Sequence, residues 1–306
     1  MSRIVFLGTP EAAVPTLDAL SDGHDVGLVV TQPDRPKGRS GRPTPPKIKE
    51  FAISTGLTVV QPGSAEALSG ALQSHGPFDI GVVVAYGRIL RSDVLAIPGQ
   101  GMINVHFSLL PRWRGAAPVA RALMAGDTMT GVTIIKLDEG LDTGPVLTAQ
   151  ALDIDLDVDL GTLTERLAKM GAGLLIRVLP EFLDGVLRPV EQSDDGMTYA
   201  AKITSEDRSL SVEATPEVFL NHVRGLSPRP GAIIDIDGRP HKILQATTSS
   251  RHVKAGSWVS TDGAVVIGVK GGAVEVVLLQ PPGKTPQLGP DWARGRRVNT
   301  GRVGLS

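Results

Sequence analysis

The sequence predicts an α/β protein: a Rossmann-like open, mostly parallel sheet with helices on both faces, followed by a small C-terminal antiparallel β-barrel of the OB-like kind. Three observations predict it. Short, continuous apolar runs alternate with helix-like stretches up to residue 189, the pattern of strands buried on both faces. From residue 208 onward, strand-like pieces follow one another closely, broken by glycine turns. Residues 190–207 between them lapse into polar, glycine-containing sequence without periodicity. A chain of 306 residues is also about twice a common domain of ~150 residues. The expected division is therefore 1–189, a linker at 190–207, and 208–306.

RIVFLG (3–8) reads as a buried strand. The Gly-Thr-Pro-Glu after it turns the chain into a helix over residues 12–20, stopped by Asp22-Gly23, and VGLVVTQ (26–32) completes a β-α-β opening. Residues 35–49 hold Arg35, Lys37, Arg39, Arg42, Lys47 and Lys49, no acid, and interspersed Pro and Gly, so an extended basic loop is expected. It leads into a helix with Pro45-Pro46 in its first turn and Gly56 as its stop. LTVVQ (57–61), DIGVVVAY (79–86), MINVHF (102–107) and TGVTIIKLD (130–138) are further apolar strands.

VLTAQALDIDLDVDL (146–160) alternates acids and apolar residues, as a strand with one wet face does. Its aspartates at 153, 155, 157 and 159 invite a calcium reading, but Val158 stands where an EF-hand loop needs Gly, so no metal is expected. Thr162 followed by Glu165 forms a capping-box pattern that opens a helix through Leu183, stopping at Gly185. After the linker come one helix (215–224) and the strand-like AIIDIDG, PHKILQATT, GSWVS, AVVIGVKGG and AVEVVLLQP.

Composition narrows the chemistry. With no cysteine, thiol catalysis, disulfides and thiolate metal sites are excluded. The apolar content of 41% with 21% charged residues fits a soluble globular protein, and no apolar run approaches the ~18 residues of a membrane span. The N-terminus enters a strand at once, which reads as a cytoplasmic start. A net charge of −1 conceals −6 over residues 1–200 (17 Lys/Arg, 23 Asp/Glu) and +5 over 201–306 (14 against 9), which suggests a polyanionic partner.

In an open parallel sheet the ligand crevice lies beyond the carboxyl ends of the strands. Gly8, Gln32, Tyr86, His106 and Asp138 fall at such ends, so the candidate reactive groups are Asn104, His106, Asp138, Glu139 and Asp142. Period two places Asn104 and His106 on one strand face, where an amide donor beside a protonatable ring can hold a developing oxyanion. Gly140 and Gly144 in DEGLDTG allow a tight loop that returns Asp142 toward them. His24, His75, His222, His241 and His252 sit in polar or turn-like contexts and read as solvated or structural. Neither G-x-G-x-x-G nor a P-loop is present, so a nucleotide cofactor has no support.

FLGTPEAAV, QPDRPKGR, VVVAYGRIL, INVHFSLLPRWRGAAP and TGVTIIKLDEGLDTGPVL occur in this order, and TYAAKI, RGLSPRPGA and LLQPPGKTPQ continue past the linker. In this combination nearly the whole chain closely resembles the methionyl-tRNA formyltransferase family. The N-x-H, S-L-L-P and L-D-x-G elements are shared with other formyltetrahydrofolate-using transferases; QPDRPKGR and the C-terminal pieces select the tRNA member. The resemblance implies formyl transfer from 10-formyltetrahydrofolate to initiator methionyl-tRNA by a cytoplasmic monomer, with no metal and no membrane. It implies a catalytic trio of Asn104, His106 and Asp142, and folate contacts from Ser108, Leu109, Leu110 and Pro111. Backbone at Gly87, Arg88, Ile89 and Leu90, with Asp138 and Gly140, would complete the pterin pocket. Arg35, Lys37, Arg39, Arg42 and Lys47 would meet the tRNA, with SGRPTPP standing where the family's loop is richer in lysine. Phe107 is bulkier than the Gly, Ala or Pro associated with its position, and period two is expected to turn it away from His106.

Overall fold

The computed structural model describes residues 1–36, 41–296 and 298–304. The chain divides into two compact units, residues 1–118, 129–153 and 164–201 in the first and 119–128, 154–163 and 202–306 in the second.

The first unit is built on seven strands: β1 (Arg3–Gly8), β2 (Asp25–Val30), β3 (Val59–Val60), β4 (Ile80–Val84), β5 (Met102–His106), β6 (Met129–Lys136) and β7 (Val146–Asp153), in the order β7-β6-β5-β4-β1-β2-β3. The run from β3 to β5 is parallel, whereas β6 and β7 are antiparallel additions at one edge. Residues 137–145, between β6 and β7, are too few for a parallel return, which takes a dozen or more. Because β6 runs against β5, Lys136 pairs with Ile103 and Thr133 with His106. Asp138 therefore leaves the sheet beside the start of β5, not at the carboxyl edge with His106 as expected.

One sheet face is covered by the helix Ala65–His75 and the turn Ser92–Leu95, through a cluster with Leu7, Leu28, Val30, Leu68, Leu72, Tyr86 and Leu90. On the other, the helix Leu160–Leu183 lies so close that a Cβ on Gly171 would stand 2.7 Å from Val105 Cγ1 and 3.7 Å from Phe107 Cε1. Val105 and Phe107 thus face this helix, and alternation directs Asn104 and His106 the opposite way.

Two starts differ from expectation. Asp159 Oδ1 accepts the Thr162 backbone N–H at 2.8 Å, so the long helix is capped three residues before Thr162, and β7 has already ended at Asp153. Pro45 and Pro46 precede the helix Lys47–Ser54 rather than filling its first turn. Proline disfavours helical backbone in the residue before it, which removes Pro45, and Pro46 is extended at φ −59°, ψ 149°.

The second unit carries β8 (Ala232–Ile236), β9 (Arg239–Ser249), β10 (Ser257–Thr261), β11 (Ala264–Val269), β12 (Gly272–Gln280) and β13 (Thr300–Arg302), in the order β8-β9-β12-β11-β10-β13, all antiparallel. Its edges meet through an Ile236–Val303 bridge, with Asp237 N donating to Arg302 O at 3.1 Å and Gly304 N to Asp235 O at 3.1 Å. That closure makes a barrel around Trp258, Phe219, Ile243 and Val274. Residues 119–128 group here because Met124 packs on the barrel core and both Arg121 Nη atoms reach the Asp207 carboxylate at 2.7 Å. The expected linker is likewise structured: Tyr199–Ala200 pairs in parallel with Arg114–Gly115.

Candidate active site

Strand β5 presents Asn104 and His106 on one face, and the loop after β6 folds back over it. Asn104 Nδ2 donates to Asp142 Oδ1 at 3.3 Å, and His106 Nδ1 lies 3.6 Å from Asp142 Oδ2. The Gly115 N–H donates to the same Oδ2 at 2.8 Å. His106 is 5% exposed and the Asp142 side chain 12%, so the group is screened from bulk water.

The His106 tautomer follows from its second nitrogen. Nε2 is 2.9 Å from the Trp113 carbonyl, which only accepts, so Nε2 carries a proton and donates. Nδ1 is then the nitrogen turned toward Asp142, at a separation too long for a good hydrogen bond. The Asn104 amide has two N–H groups. One is committed to Asp142, which leaves the other for a ligand.

The loop is tight for steric reasons. Asp142 has φ +55°, in the left-handed region that Asp tolerates better than most residues. A Cβ on Gly144 would strike the Lys136 carbonyl, and one on Gly140 would strike Thr143 Oγ1. Asp138 ties the same loop by accepting from Gly140 N at 3.0 Å and Thr143 Oγ1 at 2.8 Å.

After His106 the chain turns sharply through Ser108–Pro111. Ser108 Oγ donates to Arg112 O at 2.7 Å. The buried Thr133 hydroxyl donates to Ser108 O at 2.7 Å and accepts from Leu110 N at 3.1 Å, bracketing Leu109. At the end of β4, Gly87 has φ +84° with nothing within 4 Å of where a Cβ would stand; Ile89 is 80% exposed and Leu90 buried. Arg88 donates to Pro62 O at 3.3 Å. The backbone at Gly87 is thus open, beside an exposed apolar side chain. Leu90 and Leu137 belong to the same apolar cluster under the sheet.

The basic loop is only partly described, since Lys37 and Arg39 lie outside the described residues. Its base is a short ladder with Arg35 opposite Thr44 and Pro36 opposite Pro43. Flanking acids engage two of its cations. Lys47 pairs with Glu50 at 2.7 Å, and Lys49 Nζ reaches both Asp34 oxygens at 2.9 Å and Gln61 Oε1 at 2.7 Å. The Gln61 amide, then Lys49, holds the Asp34 carboxyl below its ordinary pKa. Arg35 stands in the ladder, and Arg42 immediately precedes its second strand.

Four contributors escape sequence reasoning: the Trp113 carbonyl, the Gly115 N–H, Thr133 and Gln192. Backbone groups carry no sequence signal, and Thr133 reads as an ordinary strand threonine. Gln192 Nε2 donates to Asp142 O at 2.8 Å and Gly144 O at 2.7 Å, yet it belongs to the stretch expected to be linker. Among the described residues, no three His, Asp or Glu side chains gather as a metal site, and no helix is long and apolar enough to cross a membrane.

Known proteins share both halves. The Formyl transferase family model matches residues 2–179, and the Formyl transferase, C-terminal domain model matches 202–297. The methionyl-tRNA formyltransferase of Halorhodospira halophila is 46% identical over 307 residues, covering 98% of each chain. That of Streptomyces griseus subsp. griseus is 42% identical over 310 residues, covering 98% of this chain and 99% of the relative. A solved N-formyltransferase from Helicobacter canadensis, in complex with folinic acid and dTDP-3-aminofucose, shares the fold with a TM-score of 0.70 at 16% identity, over 92% of this chain and 100% of that one. With full-length relatives at this identity and both family models matched, the chain belongs to the methionyl-tRNA formyltransferase family.

Proposed function

We propose that Asn104, His106 and Asp142 carry out the formyl transfer from 10-formyltetrahydrofolate to the α-amine of methionyl-tRNA that this family performs, and that they act mainly by positioning and charge stabilisation. The supporting observation is the convergence of the Asn104 amide and His106 Nδ1 on one screened carboxylate. The methionyl amine attacks the formyl carbon of 10-formyltetrahydrofolate, giving a tetrahedral oxyanion that collapses by releasing the folate nitrogen. An α-amine titrates near ~7.7–8.0, and the adjacent ester lowers this, so a useful neutral fraction is present without strong activation. The free Asn104 N–H holds the formyl oxygen, and a proton on His106 Nδ1 lies between that oxygen and Asp142. Asp142 stabilises the protonated ring and receives the proton lost by the amine, and that proton passes to the departing folate nitrogen, so tetrahydrofolate leaves as a neutral amine and the carboxylate is restored.

Ser108–Pro111, Gly87–Leu90 and the Asp138–Gly140 turn hold the folate, and Arg35, Lys37, Arg39, Arg42 and Lys47 meet the acceptor end of the tRNA through phosphates. The enzyme acts as a monomer in the cytoplasm, where its charged tRNA and reduced folate are made. Asp142→Asn keeps the shape of the loop but removes the charge. Its kcat with both substrates saturating is expected to fall by about 100-fold or more, as for a lost acid–base group; turnover near that of the parent enzyme would overturn the role of Asp142.

A further inference from the structure

We propose that Gln192, oriented by the buried Arg114 guanidinium, is a positioning residue that fixes the Asp142 carboxylate for the reaction. The inference rests on the reading of Asp142 given above and extends it to a part of the chain that touches no reacting atom.

The geometry is over-determined at Gln192. Its Oε1 accepts from Arg114 Nε at 3.1 Å and Nη2 at 2.9 Å. A guanidinium only donates, so Oε1 must face it and Nε2 must face the Asp142 and Gly144 carbonyls, with no freedom to flip. Arg114 has a side chain 4% exposed and is the residue before Gly115, whose N–H holds Asp142 Oδ2. One Arg–Gln pair therefore grips the loop by its backbone while the adjacent residue grips the carboxylate. The rest of the segment is tied down in the same manner: Thr198 Oγ1 accepts from Trp113 N at 2.9 Å, and the Trp113 carbonyl is the group that orients His106. Asp142 sits at φ +55°, where a non-glycine residue is held by its surroundings. Without the two Nε2 donors its backbone is free to relax, and the carboxylate leaves Asn104 and His106.

A double-mutant cycle on the full-length enzyme tests this. Gln192→Glu keeps the length of the side chain and an acceptor for Arg114 but removes both donors. Its kcat is expected to drop about 10- to 100-fold, the cost of displacing a reacting group by about 1 Å. KM for 10-formyltetrahydrofolate should change little. In an Asp142→Asn background the same substitution should cost less than about 3-fold, because residues that act through one another are not additive. An equal loss in both backgrounds, or an unchanged kcat with a lowered thermal midpoint, would overturn the proposal and leave Gln192 a purely structural residue. If Asp142→Asn alone retained normal turnover, it is the role of Asp142 that would fail. Should Gln192→Glu not fold, Arg114→Lys, which removes the fork that orients Gln192, is expected to show the same non-additive loss.

Discussion

A phenylalanine next to the histidine of an active site narrows the crevice unless its ring is sent elsewhere. Phe107 is buried with its ring edge against the position of Gly171 on the long helix, on the side of the sheet away from Asn104 and His106. Its role is packing. Phe107→Ala is expected to lower stability by about 3–5 kcal/mol through the cavity it leaves, while KM for the folate stays as it was. Urea unfolding read beside steady-state kinetics checks both; a changed KM at unchanged stability would put the ring in the folate pocket. The same period-two argument made Asn104, His106 and Phe107 legible in the sequence, because strand alternation is local. Gln192 and Thr133 were not legible, because each matters through partners 48 to 50 and 23 to 25 positions away. Nothing in the residue type announces such a partner.

At the scale of elements, the sequence placed the parallel strands correctly but not the direction of β6, since an apolar run looks alike in either orientation. The direction of β6 shows only in its pairing with β5, and it decides that the chain leaves β6 beside the start of β5 and must fold back for Asp142 to reach Asn104 and His106. Segments 119–128 and 154–163 show the same limit. They lie in the N-terminal two-thirds of the sequence, but contacts group them with the barrel. For 119–128 the tie is electrostatic in part, because hydrogen bonds from Arg121, then from Thr204 N, hold the Asp207 carboxyl well below its ordinary value of 3.8. A carboxyl whose folded pKa is depressed contributes stability at pH above the unfolded value and loses it as pH falls below. Asp207→Asn should therefore lower the thermal midpoint by a constant amount between pH 5 and 8. The gap to the parent protein should close below about pH 4, where the unfolded carboxyl takes up its proton. A gap that persisted unchanged in acid would mean that shape rather than charge makes the contact.

For the whole molecule the question is how a protein of net charge −1 holds a polyanion. The answer lies in distribution: residues 201–306 carry +5, and the 35–49 segment adds a local concentration of cations to an otherwise acidic first two hundred residues. Two of the described cations of this segment are engaged by neighbouring side chains. Lys49 is committed to Asp34 and Gln61 at the base of the loop, where it stiffens the ladder, and Lys47 shares its charge with Glu50. Under the proposal made above, arginines suit the phosphate contacts best, because their charge is permanent and their planar fork matches a phosphate. Each phosphate neutralised releases counterions, so the binding constant falls with salt at a slope of ~0.7–0.9 per contact on a log–log plot. Removing Arg39 and Arg42 together should raise KM for methionyl-tRNA and flatten its salt dependence by about 1.4–1.8 if each makes one contact, with KM for 10-formyltetrahydrofolate unchanged. Lys49→Met should act differently. It unties the ladder rather than a phosphate, so KM for the tRNA should rise while the salt slope stays close to that of the parent enzyme. An Arg39/Arg42 variant with an unaltered slope would assign the tRNA contacts to the barrel alone and leave the loop without a direct electrostatic role.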